Sequence, residues 1–379
     1  MRKTLLAALT IAAATTAKAQ TVDEVMSGVE RNNMELKAAR KGNEAAYLEA
    51  KQQNNLEGLS VEYSPFFNKN ASGIASSEMV VSQGFDFPTL YGARKKANRL
   101  QRDADDMEYQ TARRDILLKA KNFCLDLIHL NKQKAVLDER RRNADEMLAM
   151  FTEKYDKGDA TALELNKIKM ERMNLETELL QAETERTAAL NGLKALNGGE
   201  EVEIGATEYP AAPTESGDAL YERAEAAARK AGQDVKVSRQ GWLPKIEVGY
   251  RRNTEGPESS HGFLIGGSIP LFSNKNKVKT AKARQTEAEL LKAEARVQAE
   301  SSARALTEEM KRLSAAMAAY DVPLMRQTLD LLLKAVESGE LSVTDYYTEA
   351  DNVYRNMLAY MAVERQYHGV VADLMKNEL

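Results

Sequence analysis

The sequence predicts a mostly α-helical protein with a smaller β-barrel contribution, arranged as two structural repeats. Three observations support this fold class. A motif typical of a strand-to-helix junction occurs twice along the chain, and segments of alternating apolar and polar residues precede each occurrence. Long segments poor in proline follow each occurrence. Each repeat is expected to contain one β-hairpin and one long helical hairpin with a coiled-coil seam. The chain would then hold four strands.

Two pairs of landmarks locate the repeats. Phe87-Pro88 recurs 182 residues later as Ile269-Pro270, and Gly158 recurs 181 residues later as Gly339. Two landmarks at nearly the same offset indicate duplication of a whole unit. The predicted organisation is a signal peptide over residues 1–19, a first repeat over 20–199, a linker over 200–217 and a second repeat over 218–379.

The first residues have the composition of a cleaved signal peptide. Basic Arg2 and Lys3 precede a short apolar run, and Ala17-Lys18-Ala19 precedes Gln20. This order of basic, apolar and small residues predicts export. Gln20 stands where a lipoprotein would have cysteine, so no N-terminal lipid is expected. No later segment approaches the roughly 18 apolar residues of a membrane helix, so membrane contact would have to come from strands.

Composition excludes several other functions. The net charge of −4 gives no argument for nucleic-acid binding, and the one cysteine, Cys124, excludes an intrachain disulfide framework. We find no nucleophile–base pair, no Cys/His metal spacing and no phosphate loop, so no catalytic residue, cofactor or metal site is predicted.

Apolar and polar residues alternate over two short segments of each repeat, which predicts strands with one apolar face. The apolar positions are Leu59, Val61, Tyr63, Met79, Val81, Phe85 and Phe87, then Ile246, Val248, Tyr250, Phe263, Ile265 and Ile269. Turn-rich residues 68–73 and 253–260 would close each pair of strands into a hairpin. Four strands cannot close a membrane barrel, whereas two chains supply eight and three supply twelve. An open interior favours three chains.

Long helices are predicted after each hairpin. No proline interrupts the chain from about Leu90 to Lys157, and the second copy contains Pro323, which we interpret as a kink. Gly158 and Gly339 are expected to end these helices with positive φ angles. A helix with a seven-residue apolar repeat follows each glycine. The repeat is interrupted by Arg172 and Arg186 in the first copy, and by Glu364 and His368 in the second.

The ordered set of motifs resembles the TolC family of outer-membrane efflux proteins. Gly84-Phe-Asp-Phe-Pro88-Thr-Leu-Tyr-Gly92 and Gly267-Ser-Ile-Pro270-Leu-Phe272 are similar to the family's strand-to-helix junction, and Pro88 and Pro270 would mark it. The segments around Gly158 and Gly339 resemble its two helix-hairpin tips. The resemblance covers essentially the whole chain after residue 19, in order and in duplicate.

The resemblance implies a homotrimer, with a twelve-stranded barrel among outer-membrane lipids and an α-helical barrel in the periplasm. It implies a passive exit duct for efflux or type I secretion, docked on a periplasmic adaptor and an inner-membrane pump of the RND or ABC type. It does not name the cargo. A soluble periplasmic coiled-coil adaptor or a structural spacer is the alternative, because a coiled-coil seam alone would fit either one.

Candidate functional residues follow from the resemblance and from helix geometry. Glu164, Asp345 and Glu349 are expected to line a pore constriction, where threefold symmetry would make rings of carboxylates. The predicted docking tips comprise Gly158, Asp159, Thr161, Leu163, Gly339, Leu341, Ser342 and Val343. Simple caps, or a solvated helix face for the acids, are the alternative.

Three further features stay open at this stage. Glu364 and His368 are interpreted as a buried hydrogen-bonded pair, with a pH-sensing pair as the alternative. Basic residues follow both junctions and are interpreted as a solvated ring near the membrane, or as contacts to anionic lipid headgroups. They are Arg94, Lys95 and Lys96, then Lys275, Lys277, Lys279 and Lys282.

Overall fold

The computed structural model describes residues 20–67, 73–211 and 221–379. The predicted signal peptide, most of the first hairpin turn and part of the linker lie outside these ranges. The described helices are α1 (Val22–Asn32), α2 (Met34–Gln52), α3 (Pro88–Lys157), α4 (Ala162–Leu196), α5 (Glu222–Gln240), α6 (Lys277–Ala318), α7 (Val322–Glu337) and α8 (Val343–Leu374). The strands are β1 (Ser60–Phe67), β2 (Ile74–Phe85), β3 (Lys245–Glu255) and β4 (Glu258–Ser268). The predicted mixture of long helices and four strands is confirmed.

The chain forms two compact units that cut across the two repeats. We call one the helical unit; its described residues lie in 20–34, 115–211 and 306–379. The other is the sheet unit; its described residues lie in 35–67, 73–114 and 221–305. Each repeat contributes to both units because α3 and α6 each run from one unit into the other.

The sheet unit contains one antiparallel sheet in the order β1-β2-β3-β4. The β1–β2 and β3–β4 pairs are the two predicted hairpins. The β2–β3 pair joins them, with Val81 opposite Tyr250 and Phe85 opposite Ile246. The two repeats are therefore united by backbone hydrogen bonds between strands that are far apart in sequence.

One face of this sheet is apolar, as the alternation predicts. A cross-strand row runs Val61, Val81, Tyr250 and Phe263 from β1 to β4. Much of this face is uncovered: Phe263 is 92% exposed and Ile265 is 84% exposed. Within the described chain, β1 and β4 each pair on one side only, which leaves two open edges.

The long helices start and stop for local reasons. Pro88 is the first residue of α3, where its missing N–H costs no hydrogen bond and its fixed φ suits the helix. Pro270 lies in the connection after β4, and α6 begins seven residues later at Lys277. The kink predicted at Pro323 is wrong. The helix is broken there, since Asp321 caps a new helix by accepting a hydrogen bond from the Leu324 N–H at 2.9 Å.

The predicted seams form part of the core of the helical unit, together with buried residues of α3. On α4 the buried seam comprises Leu165, Ile168, Leu175, Ala182, Ala189 and Leu193, and on α8 it includes Tyr347, Ala350, Tyr354, Met357, Met361 and Val371. One position was predicted wrongly: Glu171, not Arg172, points into the core. Arg172 lies outside and pairs with Asp145 at 2.7 Å.

The two repeats differ before their hairpins. Helices α1 and α2 precede the first hairpin, with 11 and 19 residues, whereas α5 alone precedes the second, with 19 residues. No helix in the described ranges combines the length and the apolar content needed to cross a bilayer.

The close approach of β2 and β3 generates a prediction. A Cβ on Gly249 would lie 2.5 Å from the Val81 carbonyl oxygen and 2.8 Å from the Ser82 Cβ. Because the neighbours are backbone and a short side chain, Gly249→Ala should destabilise the sheet by about 2 kcal/mol. Thermal unfolding of the purified protein would measure the loss.

Gly262→Ala is the matched control, since a Cβ on this β4 glycine would meet nothing within 4 Å. We expect its melting temperature to stay within about 2 °C of the wild-type value, because no contact is strained. Equal melting temperatures for the two variants would contradict the β2–β3 approach described here.

Candidate functional site

The turn between α3 and α4 is capped on both sides. Gly158 has a φ of +83° and ends α3, as predicted, in a Schellman arrangement: its N–H donates to the Tyr155 carbonyl, and the Asp159 N–H donates to the Lys154 carbonyl. Thr161 then starts α4 with a capping box. Its hydroxyl accepts from the Glu164 N–H at 3.2 Å, and Glu164 Oε2 accepts from the Thr161 N–H at 2.8 Å.

The turn between α7 and α8 repeats this chemistry. Gly339 has a φ of +79°, and the Glu340 N–H donates to the Ala335 carbonyl at 2.9 Å. Ser342 caps α8 by accepting from the Asp345 N–H at 3.1 Å, and its hydroxyl donates to Asp345 Oδ2 at 2.7 Å. The two turns thus share a glycine with positive φ and a hydroxyl cap with an acid three residues later, and the full capping box is present at the start of α4.

A single apolar cluster, which we call the tip core, holds the two turns together inside the helical unit. It combines residues of α3, α4, α7 and α8: Val136, Met147, Phe151, Leu165, Ile168, Val336, Val343, Tyr346, Tyr347, Ala350, Tyr354, Met357 and Met361. The Tyr346 and Tyr347 rings meet edge to face with centroids 5.0 Å apart. Burial of aromatic area on this scale fixes the two turns side by side.

The tip core separates the predicted docking residues into two groups. Leu163 is 75% exposed, and Asp159, Thr161 and Ser342 are exposed as well. Val343 was predicted as a docking residue, but this is wrong because its side chain is fully buried in the tip core. Leu341 is half-buried and packs against the same cluster.

The three predicted pore acids have different surroundings. Asp345 and Glu349 are exposed on α8, one turn apart, whereas Glu164 is half-buried. The hydrogen bonds from the Thr161 backbone and hydroxyl hold the pKa of Glu164 below its ordinary value, so this carboxylate is charged at neutral pH. The pattern Ser/Thr-x-x-acid was visible in the sequence at Thr161 and Ser342, and it could have revealed the capping roles.

An ionic cluster in the core of the helical unit was not foreseen. The guanidinium of Arg140 on α3 pairs with Glu171 on α4 and with Asp351 on α8. The same guanidinium lies over the Tyr354 ring, 4.8 Å from its centroid. One arginine therefore connects the α3–α4 hairpin to the α7–α8 hairpin. Its signal in the sequence was weak, because three charges on distant segments share no spacing.

Glu171 is the most constrained member of this cluster. Its side chain is 6% exposed, and its Oε1 has no well-aligned hydrogen-bond donor in the described chain, although Arg140 lies within ion-pairing distance. Burial raises the pKa of Glu171 above its ordinary value and outweighs the opposing effect of Arg140. The carboxylate therefore depends on that single cation.

The predicted Glu364–His368 hydrogen bond is wrong. Glu364 pairs with Lys132 on α3, and His368 stacks on the Tyr209 ring with centroids 4.2 Å apart. Burial lowers the pKa of His368, so its ring is neutral at physiological pH.

In the described part of the chain, no group of three or more His, Cys, Asp or Glu residues could hold a metal.

The shared arginine leads to a prediction about stability. Arg140→Met should destabilise the protein by about 3 kcal/mol, because it leaves Glu171 charged and uncompensated in the core. A raised pKa favours the folded state at low pH and loses that benefit as pH rises through the folded value. The loss in the variant should therefore be smaller at pH 5 than at pH 8, measured by denaturant unfolding at both.

Two further variants test the assignment. Arg140→Met/Glu171→Leu should recover most of the lost stability, since neither charge remains buried. Arg172→Met removes an exposed arginine from an ion pair and should cost less than about 1 kcal/mol. A loss in Arg172→Met as large as that in Arg140→Met would contradict the special role of Arg140.

Comparison with known proteins identifies the fold. Neither family sequence models nor curated protein sequences match this chain. Several solved structures match the fold of this chain. A membrane protein from Pseudomonas aeruginosa has 17% identity and a TM-score of 0.76, with 94% of this chain and 90% of the other covered.

Two outer-membrane proteins match to a similar extent. The Campylobacter jejuni CmeC outer membrane channel has 15% identity and a TM-score of 0.71, over 94% of this chain and 84% of the other. The outer membrane protein VceC from Vibrio cholerae has 15% identity and a TM-score of 0.72, over 93% and 95%. The resemblance noted in the sequence is therefore confirmed for the fold, and this chain has the fold of the TolC-family outer-membrane channels.

Proposed function

We propose that this protein is the outer-membrane channel of a tripartite efflux or type I secretion system. Three copies form a twelve-stranded barrel in the outer membrane and an α-helical barrel in the periplasm. The duct is passive, and it opens when its tips dock on a periplasmic adaptor and an inner-membrane pump of the RND or ABC type. The signal peptide over residues 1–19 directs export, and no N-terminal lipid is attached.

The observation that carries this proposal is the exposed apolar face of the four-stranded sheet, together with its two open edges. In water, a face with Phe263 and Ile265 almost fully exposed would be a site of association. In lipid, unpaired backbone groups at β1 and β4 would each cost several kcal/mol. A closed ring of three sheets resolves both problems, because every edge is paired and the apolar faces meet lipid.

The polar face of the sheet suits the interior of such a barrel. Glu78 on β2 and Arg251 on β3 form an ion pair at 2.8 Å on the side opposite to the Val61–Phe263 row. Polar interior and apolar exterior alternate along the strands of water-filled barrels. The long helices α3 and α6 would continue the duct on the periplasmic side.

The carboxylates next to the tips would form the narrow entrance. Asp345 and Glu349 are exposed on α8 and take no part in the tip core. In a trimer each carboxylate would therefore occur three times around the threefold axis. Rings of carboxylates favour cations in other pores. Glu164 contributes less in this arrangement, because it is half-buried and its carboxylate accepts two hydrogen bonds from the cap of α4, whereas exposed Asp345 accepts one from the cap of α8.

The exposed residues of the two turns are the proposed docking surface for the adaptor. Leu163 stands out, since it is apolar, 75% exposed and located directly after the capped start of α4. The alternative function, a soluble adaptor or spacer, would leave the apolar sheet face without a role. A soluble monomer that fails to insert into bilayers would favour that alternative.

The channel proposal predicts a measurable conductance. The purified protein should be a trimer by native mass and should give small, cation-selective currents in planar bilayers. Asp345→Asn/Glu349→Gln should reduce cation selectivity, because both carboxylate rings lose their charge. Selectivity is measured as the reversal potential in a salt gradient.

The control for this variant is Asp103→Asn, which removes an exposed carboxylate of α3 in the sheet unit. Its selectivity should equal that of the wild type. Unchanged cation selectivity in the double variant, with the trimer intact, would contradict the assignment of Asp345 and Glu349 to the constriction. It would not contradict the channel proposal.

Docking is tested separately from conduction. Leu163→Asp should fail to complement the export defect of a deletion strain, because a charge replaces an exposed apolar contact at the tip. Its trimer and its bilayer conductance should persist. Leu180→Asp makes the same change at a 63% exposed position on the same helix, outside the tip, and should complement. Equal complementation by both variants would exclude Leu163 from the docking surface.

A further inference from the structure

A cavity within the sheet unit lies between the last turns of α5 and the first turns of α6. Its lining combines small residues with polar and charged ones, including Asp234, Ser238, Lys275, Lys277, Thr280 and Arg284. Helix α5 leads into β3 and α6 follows β4, so the cavity lies where the chain enters and leaves the second hairpin. Asn274 joins the two sides by donating a hydrogen bond to the Gly241 carbonyl.

The cations of this cavity lack carboxylate partners. Within the described residues, Lys275, Lys277 and Arg284 form no ion pair. The one acid in the lining, Asp234, is paired with Lys230 at 2.7 Å. Three exposed positive side chains therefore line the cavity together with one carboxylate, that of Asp234, so the lining carries a net positive charge.

The start of α6 adds backbone donors to the same place. The Lys277 N–H donates to Asn274 and the Thr280 N–H donates to Asn276, but the amides of Val278 and Lys279 have no acceptor in the described chain. No acidic residue lies in the first turn of this helix. The positive end of the helix dipole is thus combined with lysines, an unfavourable arrangement that a bound anion would relieve.

The junction of the first repeat differs in one respect, because a carboxylate pairs with one of its cations. Asp86, two residues before Pro88, pairs with Arg94 at 2.6 Å and approaches Lys245 at 3.9 Å. The equivalent residue of the second repeat, two before Pro270, is Ser268. The carboxylate that pairs with Arg94 at the first junction has no counterpart at the second, where the cations are also more numerous.

We propose that this cavity binds a phosphate group, with Lys275, Lys277 and Arg284 supplying the charge and Ser238 and Thr280 supplying hydroxyl donors. The group belongs to an anionic lipid headgroup or to free inorganic phosphate. The lipid source depends on the channel function proposed above, because it requires the second hairpin to lie at a membrane surface. The phosphate chemistry itself does not depend on that function.

The test measures binding to the purified full-length protein in a neutral detergent. Isothermal titration calorimetry would use two probes, inorganic phosphate and the short-chain lipid dihexanoyl phosphatidylglycerol, with dihexanoyl phosphatidylcholine as the zwitterionic control. We expect phosphatidylglycerol or phosphate to bind, and phosphatidylcholine to bind at least about tenfold more weakly than phosphatidylglycerol because its choline offsets the charge. Tighter binding of phosphatidylglycerol indicates a headgroup site, and equal or tighter binding of inorganic phosphate indicates a free-phosphate site.

Paired variants separate this site from general surface charge. Lys275→Gln/Lys277→Gln removes two charges that line the cavity, and should weaken binding by about tenfold or more. Lys279→Gln/Lys282→Gln removes two charges from the same helix end that do not line the cavity, and should change binding by less than about twofold. Matching melting temperatures would show that both variants fold.

Two results would overturn the proposal. One is the absence of binding by both phosphate probes at low ionic strength. The other is an equal loss of binding in the two double variants, which would mean that the helix end attracts anions only through its total charge. Either result can occur in a protein that is trimeric and conducts ions, so failure of this site is distinguishable from failure of the channel proposal.

Discussion

The pairing of β2 with β3 is the interaction on which the rest of the sheet unit depends. It joins the hairpins of two repeats whose strands are more than 150 residues apart in the chain, from Phe85 to Lys245. Without this pairing, each repeat would form an isolated two-stranded hairpin, and such a hairpin is only marginally stable in water. With it, the chain presents one amphipathic sheet of four strands. Gly249 makes this pairing possible, because only a residue without Cβ fits against the backbone at Val81 and Ser82.

In the helical unit, side chains make the corresponding connection between the two repeats. The tip core and the Arg140 cluster connect the α3–α4 hairpin to the α7–α8 hairpin, so the two capped turns end side by side. The apolar part of this connection supplies most of the stabilisation, since a buried ion pair seldom exceeds its desolvation cost. The ionic part instead makes the connection specific, because Glu171 requires one cation in one place. Changing the relative position of the hairpins would require this pair to separate or Glu171 to take up a proton.

The sequence predicted features with a local or periodic signature. Alternation located all four strands, the seven-residue repeat located the seams, and Gly158 and Gly339 marked the ends of two helices. It failed where the decisive interaction is tertiary. Whether Glu171 or Arg172 enters the core depends on where Arg140 lies, and the burial of Val343 depends on the tyrosines of α8. The predicted kink at Pro323 was wrong because Asp321, two residues earlier, caps a new helix. With this cap, a break in the helix costs less free energy than a kink.

The two repeats form a natural comparison within one chain, and they have diverged unevenly. The helix turns keep the same chemistry in both copies: a glycine with positive φ, a hydroxyl cap and an acid three residues later. The junctions between strand and helix do not. The first has a proline at the start of α3 and Asp86 paired with Arg94, whereas the second has an irregular connection, Ser268 and three unpaired cations beside a cavity. Because turns of equal chemistry can occupy equivalent places around a pseudo-symmetric ring, the tips suit a shared docking task. The unequal junctions suit a role that only one repeat performs, and the unbalanced positive charge at the second junction points to an anion as what it accommodates.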